Sequence, residues 1–245
     1  MNRIVCLVPS ITELLCDLGL AGQIVGRTGF CIHPREIVRR IPKVGGTKSV
    51  DIEKVRALRP THVVVNVDEN EKTTAEAIAQ FAPHLVVTHP LAPLDNLALY
   101  RQMGEAFAVK ERAEQLCADF QAAYDHAVAQ SYARRTVLYL IWKKPWMTIS
   151  RDTYISRTLA LFGMHTFPVE SQARYPELES ISGLEIDEVL LPSEPYPFRA
   201  RDIANLAATT GKRTRLIDGE MTSWYGSRAI RGLAYLANFV KSDES

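Results

Sequence analysis

The chain has 245 residues, of which 47% are hydrophobic and 23% charged, with a formal net charge of +1. That length can bury a full core, as one large domain or as two lobes, and the near-balanced charge gives no pull toward nucleic acid or an anionic membrane surface. Its apolar runs, such as 63–65 and 137–141, are far too short to insert across a bilayer.

Asn2 and Arg3 lead straight into a strand-length apolar run over 4–8, with no cleavable apolar segment before it. As written, the chain is expected in the cytoplasm, and in the periplasm if its start is trimmed or misassigned. After this first strand, Pro9-Ser10 turns into a helix with Ser10 or Thr12 as cap and Leu14, Leu15, Leu18 and Leu20 on its inner face. Residues 24–26 form a short second strand that empties into the Gly- and Pro-bearing loop 27–34. The turn Lys43-Val44-Gly45-Gly46 precedes a short helix over 51–58, stopped by Pro60. In the strand 61–66, Val63, Val64 and Val65 in a row suit a parallel strand covered on both faces, and its exit is the polar loop Val67-Asp68-Glu69-Asn70. A helix over 73–81 and a strand over 85–88 complete a β-α alternation, which predicts a parallel sheet with right-handed crossovers.

Residues 95–132 read as almost unbroken helix. Apolar positions fall at Leu97, Tyr100, Met103 and Phe107, then at Ala113, Leu116, Phe120, Tyr124 and Val128, three or four apart. The stripe slips at Lys110 and Glu111, which predicts a break near Val109; the second piece would run roughly 33 Å at 1.5 Å per residue. Such a helix is either a long crossover or a rigid spine between two halves, and the spine is the preferred reading. The strand-helix pattern then restarts. Strands are expected over 136–142 and 215–217, a second strand or turn over 147–150, and helices over 153–162, 202–209 and 227–240. A helix-to-strand passage covers 185–191, and 218–226 is a loop. The expected architecture is α/β, two lobes with small parallel sheets bridged by one long helix, bounded as 1–94, 95–132 and 133–245.

Open parallel sheets bind ligands beyond the carboxyl ends of their strands. Those positions carry Trp142, Lys144, Pro145 and Trp146 after one strand, Glu194, Tyr196 and Phe198 after the next, and Trp224, Tyr225 and Arg228 after the last. Aromatics on such loops suit a large, flat, partly apolar ligand, with Arg228 and Lys144 available to an anionic group on it. Trp142 and Trp146 either meet that ligand or plug the space between the halves. Trp224 is expected to face an open cleft.

Enzymatic readings find no support in the motifs: there is no GxGxxG after the first strand, no GxxxxGK[ST] and no GxSxG. No catalysis is expected. The four cysteines show no CxxC spacing and read as buried thiols, and Cys31 with His33 falls short of a zinc site, so no metal site is expected.

Several stretches together resemble the cobalamin and iron-complex substrate-binding proteins of bacterial ABC importers. They are the opening Arg3-Ile4-Val5-Cys6-Leu7-Val8-Pro9-Ser10-Ile11-Thr12-Glu13-Leu14-Leu15, Gly26-Arg27 with Cys31 and Pro34, and Lys43-Val44-Gly45-Gly46 followed by Asp51-Ile52-Glu53. Arg59-Pro60-Thr61-His62-Val63-Val64-Val65 and Ser223-Trp224-Tyr225-Gly226-Ser227-Arg228 extend the resemblance over nearly the whole chain. It implies two α/β lobes joined by one long helix, with a metal-chelate or corrinoid-like ligand (cobalamin, haem or ferric siderophore class) in the cleft between them. It also implies a monomer working with an ABC permease. The protein needs no cofactor of its own, although its ligand can carry cobalt or iron. The first half would supply Phe30, His33, Asn66 and Asp68 to the ligand, and Glu71 and Glu194 would meet the permease. The cobalamin-binding member has an aromatic residue where this chain has Asn66-Val67-Asp68-Glu69, an acidic loop that either meets a cationic or metal-bearing ligand or is solvated. The alternative is a cytosolic corrinoid-handling protein or enzyme on the same fold.

Overall fold

The computed structural model describes residues 2–169 and 173–241. It resolves into two compact units. Unit 1 comprises Met1–Pro90, Asp95–Asp119 and Tyr225–Arg228, and unit 2 comprises Leu91–Leu94, Phe120–Trp224 and Ala229–Ser245.

Unit 1 begins with strand β1 (Ile4–Cys6) and helix α1 (Pro9–Asp17), followed by β2 (Ile24–Arg27), α2 (Arg35–Val38) and α3 (Ile52–Ala57). After these come β3 (His62–Asn66), α4 (Lys72–Ala79) and β4 (His84–Thr88). The strands lie in the order β2-β1-β3-β4 and every pairing is parallel. A parallel sheet covered on both faces has to be apolar on both. The valine run of β3 meets that demand: Val63 and Val65 join Val5, Leu7, Val55 and Ile78 in one buried cluster. The edges of the elements follow local chemistry. Asp51 Oδ1 accepts from Lys54 N at 3.0 Å and so caps α3. Helix α1 departs from the expected start: neither Ser10 nor Thr12 caps it, Pro9 opens it, and the Thr12 hydroxyl donates back to Val8 O at 2.9 Å.

The expected spine over 95–132 is two helices, α5 (Asp95–Ala106) and α6 (Lys110–Val128). The break falls where the apolar stripe slips, with Ala108 in the left-handed region at φ 56°. Arg101 and Glu114 form a bidentate pair across the break at 2.8 and 3.0 Å. The helices approach closely at Gly104, where an added Cβ would lie 2.6 Å from Ala113 Cβ. The boundary between the units falls within α6, between Asp119 and Phe120.

Unit 2 contains β5 (Arg135–Tyr139), β6 (Trp146–Met147), α7 (Tyr154–Ala160), β7 (Met164–Thr166) and β8 (Glu177–Leu178). It continues with β9 (Glu188–Pro192), α8 (Ala200–Thr210), β10 (Arg213–Ile217), α9 (Gly219–Ser223) and, beyond Arg228, α10 (Arg228–Lys241). Its main sheet is parallel in the order β10-β9-β5-β7, and β6 pairs with β8 antiparallel. The passage 185–191 holds no helix, and β9 is buried throughout. The stretch 218–226, expected as loop, contains α9, because Asp218 Oδ1 accepts from Met221 N at 3.1 Å and nucleates a turn of helix.

Replacing Gly104 with valine should lower folding stability by about 1–3 kcal/mol, because Ala113 has no flexible end that could yield. Urea denaturation checks this, and an unchanged midpoint would refute the close approach.

Candidate functional site

In unit 1 the loops at the carboxyl ends of the strands are shaped by small buried anchors. After β2, Thr28 and Cys31 are wholly buried and in contact, with Oγ1 and Sγ 3.2 Å apart. With Cys31 drawn inward, its neighbours Phe30 and Ile32 stand in solvent, Phe30 at 62% exposure. Burial holds the Cys31 thiol above its ordinary pKa, so it remains an uncharged anchor. His33 is half-buried beside them.

After β3 the acidic loop is built by two asparagines. Asn66 was expected to face ligand, but it is buried, and its side chain is consumed by backbone. Nδ2 donates to Thr88 O at 3.0 Å, and Oδ1 accepts from Asp68 N at 2.8 Å. Asn70 answers it: Oδ1 accepts from Asn66 N at 2.9 Å and Nδ2 donates to Thr47 O at 3.0 Å. The loop between them is fixed in an Asx-type turn. Asp68 lies there with Oδ1 3.5 Å from His89 Nε2. Glu71 keeps an exposed carboxylate 3.5 Å from Lys48 Nζ.

Tyr225 and Arg228 also belong to unit 1, and neither is placed as expected. Arg228, expected to offer its charge to an anionic ligand, is 6% exposed and gripped by Glu13 through Nε–Oε2 at 2.7 Å and Nη2–Oε1 at 2.9 Å. The Tyr225 hydroxyl donates to Glu69 Oε1 at 2.6 Å, and burial together with that carboxylate holds the phenol well above its ordinary pKa. Between them Gly226, at φ +85°, donates its N–H to Asn96 Oδ1 at 2.7 Å and accepts from the Tyr100 hydroxyl at 2.9 Å. Its missing Cβ lets the turn pass Ser10 O, which a side chain would meet at 3.3 Å.

In unit 2 the exit of β5 closes into a tight hairpin: Ile141 N donates to Met147 O at 2.9 Å and Met147 N to Trp142 O at 3.2 Å. Trp142 is left 42% exposed, edge-on to Tyr196 with ring centroids 5.6 Å apart; Tyr196 in turn lies 4.6 Å from Phe198. Phe198, expected at the ligand surface, is instead core, packed with Leu138, Leu140, Val189 and Leu191. Trp146 is half-buried against the same cluster, and Lys144 is exposed. Lys143, which the sequence did not single out, is paired with Asp202 at 3.1 Å.

Trp224 does not face open solvent. It is 8% exposed and its Nε1–H donates to Glu194 Oε1 at 2.7 Å, where the Ser223 hydroxyl also donates, at 3.1 Å. Glu194, expected to meet a permease, therefore spends its carboxylate inside unit 2. Close approach at Gly219, whose Cβ would lie 2.9 Å from Glu194 N, holds the acid there. Burial, aided by Glu220 and Asp218, raises the Glu194 pKa against the opposing effect of its two donors.

The described side chains thus form two separate sets. Phe30, Ile32, His33, Asp68 and Glu71 lie on the loops of unit 1, and Trp142, Lys144, Trp146 and Tyr196 on those of unit 2. Sequence reasoning missed Ile32, whose exposure follows from Cys31 turning inward, and Asn70, whose signal was the Asn-x3-Asn spacing around an acidic turn.

Comparison with known proteins adds a family. Residues 4–190 match the family profile described as Periplasmic binding protein. An uncharacterized ABC transporter substrate-binding lipoprotein of Bacillus subtilis is 31% identical over an alignment covering 99% of this chain and 81% of that protein. The vitamin B12-binding protein of Pectobacterium atrosepticum is 24% identical over 184 residues, 72% of this chain and 66% of its own length, just under two thirds. Among solved structures, the periplasmic heme-binding protein RhuT from Roseiflexus sp. RS-1, in apo form, aligns with a TM-score of 0.83 and 20% identity over 98% of each chain. At that identity the likeness is one of fold.

Arg228→Met should cost about 3–5 kcal/mol by leaving Glu13 buried and unpaired, whereas Glu13→Leu with Arg228→Met should regain much of it. Chemical denaturation of both variants checks this. The raised Glu194 pKa has a definite sign. The folded state holds that proton to higher pH than the unfolded chain does. The stability it contributes is therefore full below the ordinary carboxylate pKa and is lost as pH rises through the folded value. Glu194→Gln should accordingly flatten the fall in stability with rising pH above about 4, read from urea midpoints across that range.

Proposed function

Since the chain belongs to the periplasmic binding protein family, we propose that it captures a metal-chelate macrocycle of the corrinoid or haem class. In this reading it is the monomeric substrate-binding component of an ABC-type uptake system and catalyses nothing. The observation that carries the reading is the aromatic ladder of unit 2. Trp142 is exposed, yet Tyr196 braces its edge and the buried Phe198 braces Tyr196. A large ring held in solvent by a packed column offers a flat ligand contact area at little entropic cost. Unit 1 adds the exposed Phe30 and Ile32 on a loop fixed by Cys31.

The names of the relatives support the cargo class and the transport role, one binding vitamin B12, one heme, and one being an ABC substrate-binding lipoprotein. On this reading the metal arrives with the cargo and no resident cofactor is needed. The protein works outside the cytoplasmic membrane. Among the described residues no helix is long and apolar enough to cross one. Glu71, with its exposed carboxylate, is the residue offered to a permease.

Cyanocobalamin, haemin and ferric chelates should be screened by thermal shift. A cargo at 100 times its dissociation constant adds about 2.7 kcal/mol of stability, and a screen in which nothing moves the melting temperature would refute the reading. Trp142→Ala should weaken binding of the cargo at least tenfold, while costing under about 1 kcal/mol of folding because the ring is already half in water. Intact affinity in that variant would remove the ladder from the site.

A further inference from the structure

The aromatic ladder of unit 2 stands on two segments that lie past the end of the sheet's own pairing. The pairing of β5 with β9 runs to Tyr139 and Leu190, with Leu140 N donating to Leu190 O at 3.1 Å. Beyond it the chain enters the hairpin that carries Trp142 and, separately, the loop that carries Tyr196 and Phe198. An edge-on ring contact, such as that of Trp142 with Tyr196, is weak and tolerant of angle, so it sets the spacing of the two segments only loosely. Asp202 adds a second, polar constraint. It lies in the first turn of α8, is 5% exposed, and sends one oxygen to each segment. Oδ1 accepts from Lys143 Nζ at 3.1 Å, next to Trp142, and Oδ2 accepts from Arg199 N at 3.0 Å, next to Phe198.

One carboxylate thus ties the residue after Trp142 to the residue after Phe198. Capping α8 would account for the bond to Arg199 N alone and leaves the ammonium unexplained. Burial acts to raise the Asp202 pKa, but the Arg199 N–H and the Lys143 ammonium outweigh it and hold the carboxyl below its ordinary value, so the tie is charged at neutral pH. A charge-assisted hydrogen bond is stronger and more exacting in direction than a ring contact. We infer that Asp202 is the positioning residue of the ladder: by holding Lys143 and the Arg199 N–H at once, it sets Trp142 against Tyr196 in the orientation that meets the cargo. The inference rests on the binding function proposed above and assigns, within that site, a residue that acts through Trp142 rather than by touching the cargo.

The test separates the tie from the cap. Lys143→Met cuts the tie and leaves the Asp202–Arg199 cap in place, whereas Asp202→Ala removes both. Calorimetry uses cyanocobalamin or haemin, whichever the unmodified protein binds. Each variant should weaken binding about three- to tenfold, and the double variant no more than the weaker single one, because both cut the same interaction. In a Trp142→Ala background, Lys143→Met should add less than about twofold. Fluorotryptophan in place of the three tryptophans gives a fluorine NMR line for Trp142, assigned with Trp142→Phe. Without cargo, that line should shift or broaden in Lys143→Met while the Trp224 line stays. An unmoved Trp142 line in Lys143→Met, or full affinity in that variant, overturns the inference and leaves the binding function standing. Weak binding by Lys143→Met with full affinity in Asp202→Ala does the same, since Lys143 would then meet the cargo itself. If the unmodified protein binds neither macrocycle, the function falls and the positioning role with it.

Discussion

The buried pair between Arg228 and Glu13, 215 residues apart in sequence, ties a late segment of the chain to the first helix of unit 1. Two fully ionisable groups taken out of water together cost several kcal/mol each in solvation, and only bidentate geometry returns most of that. The return is positional rather than energetic. Once Arg228 is seated, the short segment before it has one path: Gly226 turns against Asn96 and Tyr100, and Tyr225 reaches Glu69. A hydrophobic pair would fill the same volume without fixing the direction of the chain.

The exposed aromatics obey a related constraint. A large apolar side chain left in water collapses onto the nearest surface unless something holds its backbone away from it. On the β2 loop the holding is done by the neighbour, since Cys31 points inward against Thr28 and the alternation puts Phe30 and Ile32 outward. In unit 2 it is done ring on ring, from the core at Phe198 through Tyr196 to Trp142. Both devices spend a buried residue to present an exposed one, which separates a binding surface from a run of incidental surface hydrophobics.

Much of the fold was legible because its determinants are local. The valine run of β3 and the slip of the apolar stripe near Val109 each act within a few residues, and each appears where the periodicity places it. The resemblance to substrate-binding proteins rested on motif order along the whole chain and agrees with the family match over 4–190. What escaped was short or conditional. β8 has two residues and pairs only with β6, which the sequence placed slightly late as a strand or turn over 147–150, and α9 depends on a single Asp218 cap inside an apparent loop.

The site residues were less legible for a different reason: a sequence names charges but not their partners. Arg228 and Glu194 were read as outward-facing because they follow strand exits, and both positions are correct to within a few residues. The error lay in the counter-groups. Glu13 on α1 neutralises the arginine, and the indole of Trp224 with the Ser223 hydroxyl occupies the glutamate. Glu13 lies beyond the first turn of α1, in mid-helix, where no local rule calls for a partner, and only the folded chain brings an arginine 215 residues away to meet it.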